Sequence, residues 1–256
     1  MGEIEIIDTN VNNIHNYGFC GYKNIKQEGY KRKLDWLKER FVEGMKFKVL
    51  YSANDGAIGF IEYIPGEYTW RAVEASGYMV IHCIMNMYRK NQAKGYGTLL
   101  LEECSKDARK EAMHGVAVVT RKGTWMAGKE VFLKNGFGVT DAAPPDFELL
   151  VKKFAEVPSP RFKGDWEKSL SQYSSGLTII RSDQCPYVAK SVTEISETAE
   201  QKYGIKPRII DLKNCRDAQN TPSAYGIFSI IHNGRLLADH PISNKRFTNI
   251  MDKETR

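Results

Sequence analysis

The sequence predicts an α/β chain in which a larger mixed-sheet domain is followed by a smaller α/β domain. Three observations predict it. An apolar strand-like run, a glycine pair and an amphipathic stripe follow one another between Tyr78 and Ala112. Strand-length apolar runs and helical stripes then alternate as far as Phe154. After a polar stretch with two prolines, the same alternation restarts at Leu177.

Taken in order, Ile4–Ile7 reads as a strand and Gly29–Glu43 as a helix carrying Leu34, Leu37, Phe41 and Val42. Phe47–Tyr51 and Ala57–Ile64 pair as a hairpin through Asn54-Asp55-Gly56. Tyr78–Met87 is apolar enough for a central strand buried on both faces. Leu99, Leu100, Leu101, Cys104, Ala108 and Ala112 then mark a helix, which Gly115 is expected to stop. Val116–Thr120 is the next buried strand. A helix from about Thr124 to Lys134 ends at the glycine cap Asn135-Gly136-Phe137, and Phe147–Phe154 is a last strand behind a proline-rich turn. Ala155–Gly164 reads as a linker and Asp165–Tyr173 as a short helix. The second domain follows as strand Leu177–Ile180, helix Val188–Tyr203, strand Pro207–Leu212, a short polar helix, strand Ala224–Ile231 and a hairpin at Asn233-Gly234 into Arg235–His240. The domains are therefore expected at 1–156 and 177–256, with 157–176 between them.

The 256 residues, 42% of them apolar, suffice for two modest cores. A formal charge of +6 suits a polyanionic small molecule, and no basic-aromatic stripe argues for nucleic acid. No apolar run reaches membrane-spanning length and no leader pattern is visible, so a cytoplasmic protein without a membrane partner is expected. Cysteines at 20, 83, 104, 185 and 215 form no Cys-x-x-Cys pair, which points to reduced thiols and no metal site. Exposed edges after the last strand leave room for a homodimer.

The chemistry concentrates at Tyr88–Leu101. Gly95 and Gly97 let the backbone turn tightly and approach a ligand, and the first free N–H groups of the following helix face an anion there. Arg89, Lys90 and Lys94 add positive charge on the approach. A Walker loop does not fit, and the dinucleotide fingerprint lacks its third glycine, Leu100 standing in that place.

Gln92-Ala-Lys-Gly95-Tyr-Gly97 resembles the Gln/Arg-x-x-Gly-x-Gly/Ala signature of the GNAT superfamily of acetyl-CoA-dependent acyltransferases, and the order of elements over residues 1–156 is similar to its core. The resemblance implies an N-acetyltransferase that uses acetyl-CoA as co-substrate with an amine acceptor, small molecule or peptide. It implies that the backbone at Gln92, Ala93, Lys94, Gly95, Tyr96, Gly97 and Thr98 takes the pyrophosphate. It also implies that Met85, Asn86 and Met87 hydrogen-bond the pantetheine arm and polarise the acetyl carbonyl. Many members carry a tyrosine shortly before the Gly-Phe pair, and here Phe132 holds that position. A phenyl ring donates no proton, so Tyr88, Tyr78, Cys83, water and the substrate ammonium stand as alternatives, and a CoA-binding adaptor with little turnover stays open.

Glu62, on the strand before the long turn, and His82, on the core strand, are the candidate bases. Alternation puts Cys83 on the face opposite His82. Each candidate also has a plainer reading, a solvated strand carboxylate and a hydrogen-bonded core histidine. Trp70, Trp125, Tyr63 and Tyr68 are candidates to line an acceptor pocket.

The second domain resembles a thioredoxin-like domain, with Cys185-Pro-Tyr similar to the glutaredoxin motif and Pro222 where that fold often holds a cis proline. Val188 replaces the second cysteine, so no disulfide forms across the turn. Cys185 is either a reactive thiol at a helix start or a small thiol capping a turn. Together with Ile81-His-Cys-Ile84 and Trp125-Met-Ala-Gly128, this combination resembles the YoaP-like acetyltransferases.

Overall fold

The computed structural model describes residues 4–22, 24–88, 94–123 and 125–254. Its elements run β1 (Ile4–Thr9), α1 (Ile14–Tyr17), α2 (Glu28–Val42), β2 (Lys46–Ser52), β3 (Gly56–Pro65), β4 (Val73–Glu74), β5 (Met79–Asn86), α3 (Tyr96–Lys110) and β6 (Gly115–Thr120). They continue with α4 (Lys129–Leu133), β7 (Gly138–Ala143), β8 (Phe147–Lys153), β9 (Arg161–Phe162), α5 (Trp166–Ser171), β10 (Leu177–Arg181), α6 (Val188–Tyr203) and β11 (Arg208–Asp211). Last come α7 (Cys215–Gln219), β12 (Phe228–His232), β13 (Arg235–Ala238) and α8 (Asn244–Glu254). One compact unit comprises Met1–Ile25, Leu34–Thr69 and Val73–Phe162, the other Lys26–Lys33, Trp70–Ala72 and Lys163–Arg256.

The first unit is built on a seven-stranded sheet in the order β1-β2-β3-β5-β6-β8-β7. All neighbours are antiparallel except β5 and β6, which are parallel and need the crossover helix α3 between them. Leu100, Leu101, Cys104 and Ala108 of α3 pack on Ile61, Tyr63, Ile81, Val116 and Val118 of the sheet, with Phe132 and Phe137 from either end of the α4 turn. Beneath α3 the Lys48 ammonium, nearly sealed from solvent, meets Asp8 at 2.8 Å, Glu103 at 3.0 Å and Asp107 at 2.9 Å. Burial works against its charge, and the three carboxylates outweigh that and raise its pKa. The Tyr63 hydroxyl donates to Asp107 at 2.7 Å.

The second unit has a four-stranded sheet in the order β11-β10-β12-β13, with β10 and β11 parallel and the other pairs antiparallel. Val188, Val192, Ile195 and Ala199 form the buried stripe of α6, which Gly204 stops at φ +66°. Two chain segments are seated in this unit by charge. Arg32 bonds Asp183 at 2.7 Å and Asp211 at 3.0 Å, and Arg71 donates to Gln184 Oε1 at 3.3 Å and the Tyr225 carbonyl at 3.0 Å.

Several expectations need correction. Gly115 does not stop the helix; α3 ends at Lys110 and Ala112 takes the left-handed turn at φ +54°. Gly115 opens β6 instead, because a Cβ there would lie 2.3 Å from the Lys152 carbonyl oxygen of β8. The helix expected from Thr124 is only α4, Lys129–Leu133, and Thr124 itself lies outside the described residues. β7 and α8 were not expected. The cis peptide bond found among the described residues is Pro144-Pro145, so the bond before Pro222 is trans.

Candidate functional site

Past Ile81 the two parallel strands part. The β5–β6 ladder pairs Met79 with Val116, Val80 with Ala117 and Ile81 with Val118, and then stops. A bulge sits at the same point, since Glu62 pairs with Cys83 but Tyr63 pairs with Ile81, leaving His82 as the extra residue. From Cys83 to Tyr88 the side chains become half-buried, where those of Met79 to His82 are buried. A wedge-shaped gap thus opens between β5 and β6.

The bulge also sets the faces. Residues paired across strands share a face, so Cys83 stands on the side of Glu62, and His82 does too, its Nδ1 lying 3.5 Å from Glu62 Oε1. Cys83 and His82 therefore do not point apart; the inserted residue breaks the alternation. The structure brings the two candidate bases together, both buried, with His82 Nε2 3.1 Å from Thr69 Oγ1 and the ring 6.4 Å from that of Trp36.

Beyond the bulge the ladder alternates regularly. Met87 donates its N–H to the Ile58 carbonyl at 2.9 Å, so Met85 and Met87 spend their backbone groups on β3. The same alternation turns the N–H and C=O groups of Ile84 and Asn86 towards the gap.

The cradle lies at the start of α3. Gly95 adopts φ +79°, and the first intrahelical bond runs from Leu99 N–H to the Gly95 carbonyl at 3.1 Å. The N–H groups of Tyr96, Gly97 and Thr98 therefore have no acceptor within the helix. Lys94 is exposed, its ammonium 6.0 Å from the centre of the Tyr96 ring. A Cβ at Gly97 would lie 3.2 Å from Val131 Cγ2 of α4, so a side chain there asks Val131 to give by a few tenths of an ångström. Thr98 Oγ1 accepts from Asn135 at 3.2 Å, a tie between α3 and the α4 cap that sequence reasoning missed. Gln92 and Ala93, with Arg89 and Lys90, lie outside the described residues.

The remaining candidates separate clearly. Tyr88 packs against the α3-side core just past β5. Tyr78 donates its hydroxyl to the Pro158 carbonyl at 2.9 Å, and burial raises its pKa. Phe132 is buried and meets Phe137 edge-on at 5.6 Å. Tyr63 and Trp70 are buried, whereas Tyr68 and Trp125 are exposed. Cys185 is half-buried in the turn ahead of α6, its carbonyl accepting from Val188 N–H at 3.1 Å, and the first turn of α2 lies on that motif, where a Cβ at Gly29 would be 2.0 Å from the Pro186 oxygen. Among the described residues no group of three or more His, Cys, Asp or Glu side chains is arranged to hold a metal ion, and no helix is long and apolar enough to cross a membrane.

A family model described as YoaP-like matches residues 208–249. An uncharacterized N-acetyltransferase YoaP of Bacillus subtilis (strain 168) is 30% identical over 259 residues, spanning 98% of this chain and 99% of the relative. Among solved structures, PaiA N-acetyltransferase of Thermoplasma acidophilum in complex with coenzyme A is 20% identical at a TM-score of 0.43, covering 59% of this chain and 99% of its own. Ard1 of Thermoplasma volcanium is 17% identical at 0.42, covering 60% and 99%.

Proposed function

The chain belongs to the YoaP-like family of N-acetyltransferases, and we propose that it transfers the acetyl group of acetyl-CoA directly to an amine acceptor, small molecule or peptide, in a ternary complex. The observation that carries the reading is the coincidence of bulge and splay. The gap opens at the residue where Glu62 and His82 meet, so a thioester held in it lies beside a buried base.

The residues present fit the co-substrate. Tyr96, Gly97 and Thr98 offer three free N–H groups and the positive end of a fifteen-residue helix to a pyrophosphate. Ile84 and Asn86 offer backbone groups to the amides of an extended arm, as an added strand would take them. With Gln92 and Ala93, Lys94 completes the approach we assign to the phosphates. Acetyl-CoA supplies an activated thioester. The protein holds it and removes a proton from the attacking ammonium, and we assign that role to the Glu62–His82 pair acting through water.

We assign residues 1–156 to acetyl-CoA binding and 177–256 to a thioredoxin-like module. The strand order and directions of the second sheet, with α6 crossing between parallel β10 and β11, support the latter. A second reading, a CoA-binding adaptor or thiol-linked module, is favoured by one observation: a core phenylalanine stands where a phenol is expected.

The test is acetyl-CoA turnover against a mixed amine and peptide panel, followed by thiol release, with binding measured on the same sample by calorimetry. Binding with acceptor-dependent release is expected. Binding without release from any acceptor overturns the transferase reading in favour of the adaptor.

A further inference from the structure

Among the described residues of the first unit, the buried polar atoms without a hydrogen-bond partner include one on each lip of the splay, Asn86 Oδ1 on β5 and Thr120 Oγ1 on β6. Thr120 is 1% exposed and is the last residue of β6, two positions beyond the last pair with β5. It shares its face with Val116 and Val118, which pack on the α3 side. Asn86 is on the same face, because its partner Gly59 points there: a Cβ at Gly59 would be 3.3 Å from Asn86 Oδ1 and 3.7 Å from Leu100 of α3. The face that carries the anion cradle thus also carries both orphan groups.

Leaving a hydroxyl buried without a partner costs free energy that a valine of the same shape avoids. Such a group is explained when a ligand satisfies it. An arm that enters the wedge from the cradle, thioester end first, passes Asn86 near the mouth and brings its sulfur towards the apex. Thr120 is the orphan hydroxyl closest in register to that apex.

We propose that Thr120 donates a hydrogen bond to the CoA sulfur and stabilises the departing thiolate, the part a phenol cannot play with Phe132 in its place. The inference rests on the acetyl-CoA reading above. In the step, the amine nitrogen bonds to the acetyl carbon and the carbon–sulfur bond breaks with its electron pair on sulfur. The proton leaving nitrogen passes to the Glu62–His82 pair, and Thr120 keeps its own proton throughout. Its pKa is too high for full transfer, so it acts as a fixed dipole aimed at developing charge.

The experiment is a calorimetric cycle of CoA against desulfo-CoA on the full chain, with wild type, T120V and T120S. At a pH above the thiol's pKa, where CoA presents the thiolate, wild type should prefer CoA by roughly 10-fold, the range of a hydrogen bond to a charged acceptor. T120V should bind both ligands equally and T120S should restore the preference. Because the wild-type hydroxyl is unpartnered without ligand, unliganded T120V should melt no lower than wild type. An undiminished CoA preference in T120V, or a clearly lower melting temperature, overturns the role of Thr120 while leaving the transferase reading intact. Failure of wild type to bind either ligand overturns both.

Discussion

His82 and Glu62 meet side by side in the interior of the sheet, Nδ1 to Oε1 at 3.5 Å, because a one-residue bulge turns His82 onto the face of its neighbour strand's carboxylate. If the pair is the base, Glu62→Gln and His82→Gln should each lower kcat by about 10²-fold or more, the usual scale for a positioned proton acceptor. Acetyl-CoA affinity should stay within a few-fold, since neither side chain is in the cradle. Steady-state kinetics with calorimetry on both variants decide it. Unchanged kcat in both would return the pair to the role of a hydrogen-bonded core feature.

The cradle makes a sharper demand. Gly97 leaves only 3.2 Å between a hypothetical Cβ and Val131, and its N–H is one of three left free at the start of α3. Gly97→Glu adds bulk and a negative charge where the pyrophosphate is assigned, and should abolish measurable acetyl-CoA binding. Retained affinity would falsify the placement of the anion site at α3. Gly97→Ala isolates the steric part, and a loss of about tenfold is expected from it.

Much of this was legible in the chain, and what was not has physical reasons. Val188–Tyr203 was readable to the residue because its apolar stripe and its glycine stop agree. β7 was not, since Gly138–Ala143 is an edge strand whose residues are mostly exposed and carry no apolar alternation. α8 hides for a related reason, burying only Phe247 and Met251 in eleven residues. At the site, Glu62 and His82 were found as separate candidates by residue type. Their meeting depends on a bulge, which is a property of pairing register and has no local signature. Thr120 was invisible as a site residue, because a threonine ending an apolar strand looks like any other until its hydroxyl is seen to lack a partner.

The Lys48 cluster should decide stability on the acid side. Burial opposes the Asp107 charge, yet the Tyr63 hydroxyl and Lys48 hold its pKa below the ordinary carboxylate value. A folded-state pKa below the unfolded one contributes stability that is present above the unfolded value, about pH 3.9, and lost as pH falls through the folded value. Denaturant midpoints followed from neutral to acid pH should therefore fall more steeply for wild type than for Asp107→Asn. Lys48→Met leaves the largely buried Asp107 carboxylate without its closest cation, while Glu103 keeps Lys106 at 3.6 Å, and should cost about 3 kcal/mol at neutral pH.

Gly226 tests the seating of the 70–72 segment in the second unit. It holds φ +81°, and a Cβ there would lie 2.3 Å from the Trp70 carbonyl oxygen. Gly226→Ala therefore combines left-handed strain with a backbone clash that no side-chain rotation relieves. A loss of about 2 kcal/mol or more is expected in chemical denaturation. Gly164→Ala, at φ +72° with open space around it, is the control and should lose only about 1 kcal/mol.

Phe132→Tyr bears on how the chain manages without a phenol. The ring is 1% exposed and packed edge-on against Phe137. A para hydroxyl added there enters an apolar cluster of Tyr96, Leu100, Val118 and Leu150. Unliganded, the variant should lose about 1–3 kcal/mol, the cost of a buried hydroxyl without a partner. Two outcomes then separate on adding CoA. If the new hydroxyl reaches the sulfur, CoA should raise the melting temperature of Phe132→Tyr more than that of wild type, and Phe132→Tyr should restore CoA preference to T120V. Should CoA stabilise both proteins equally, the α4 side of the cluster lies out of reach of the sulfur, and the hydroxyl of Thr120 is the donor placed to meet it.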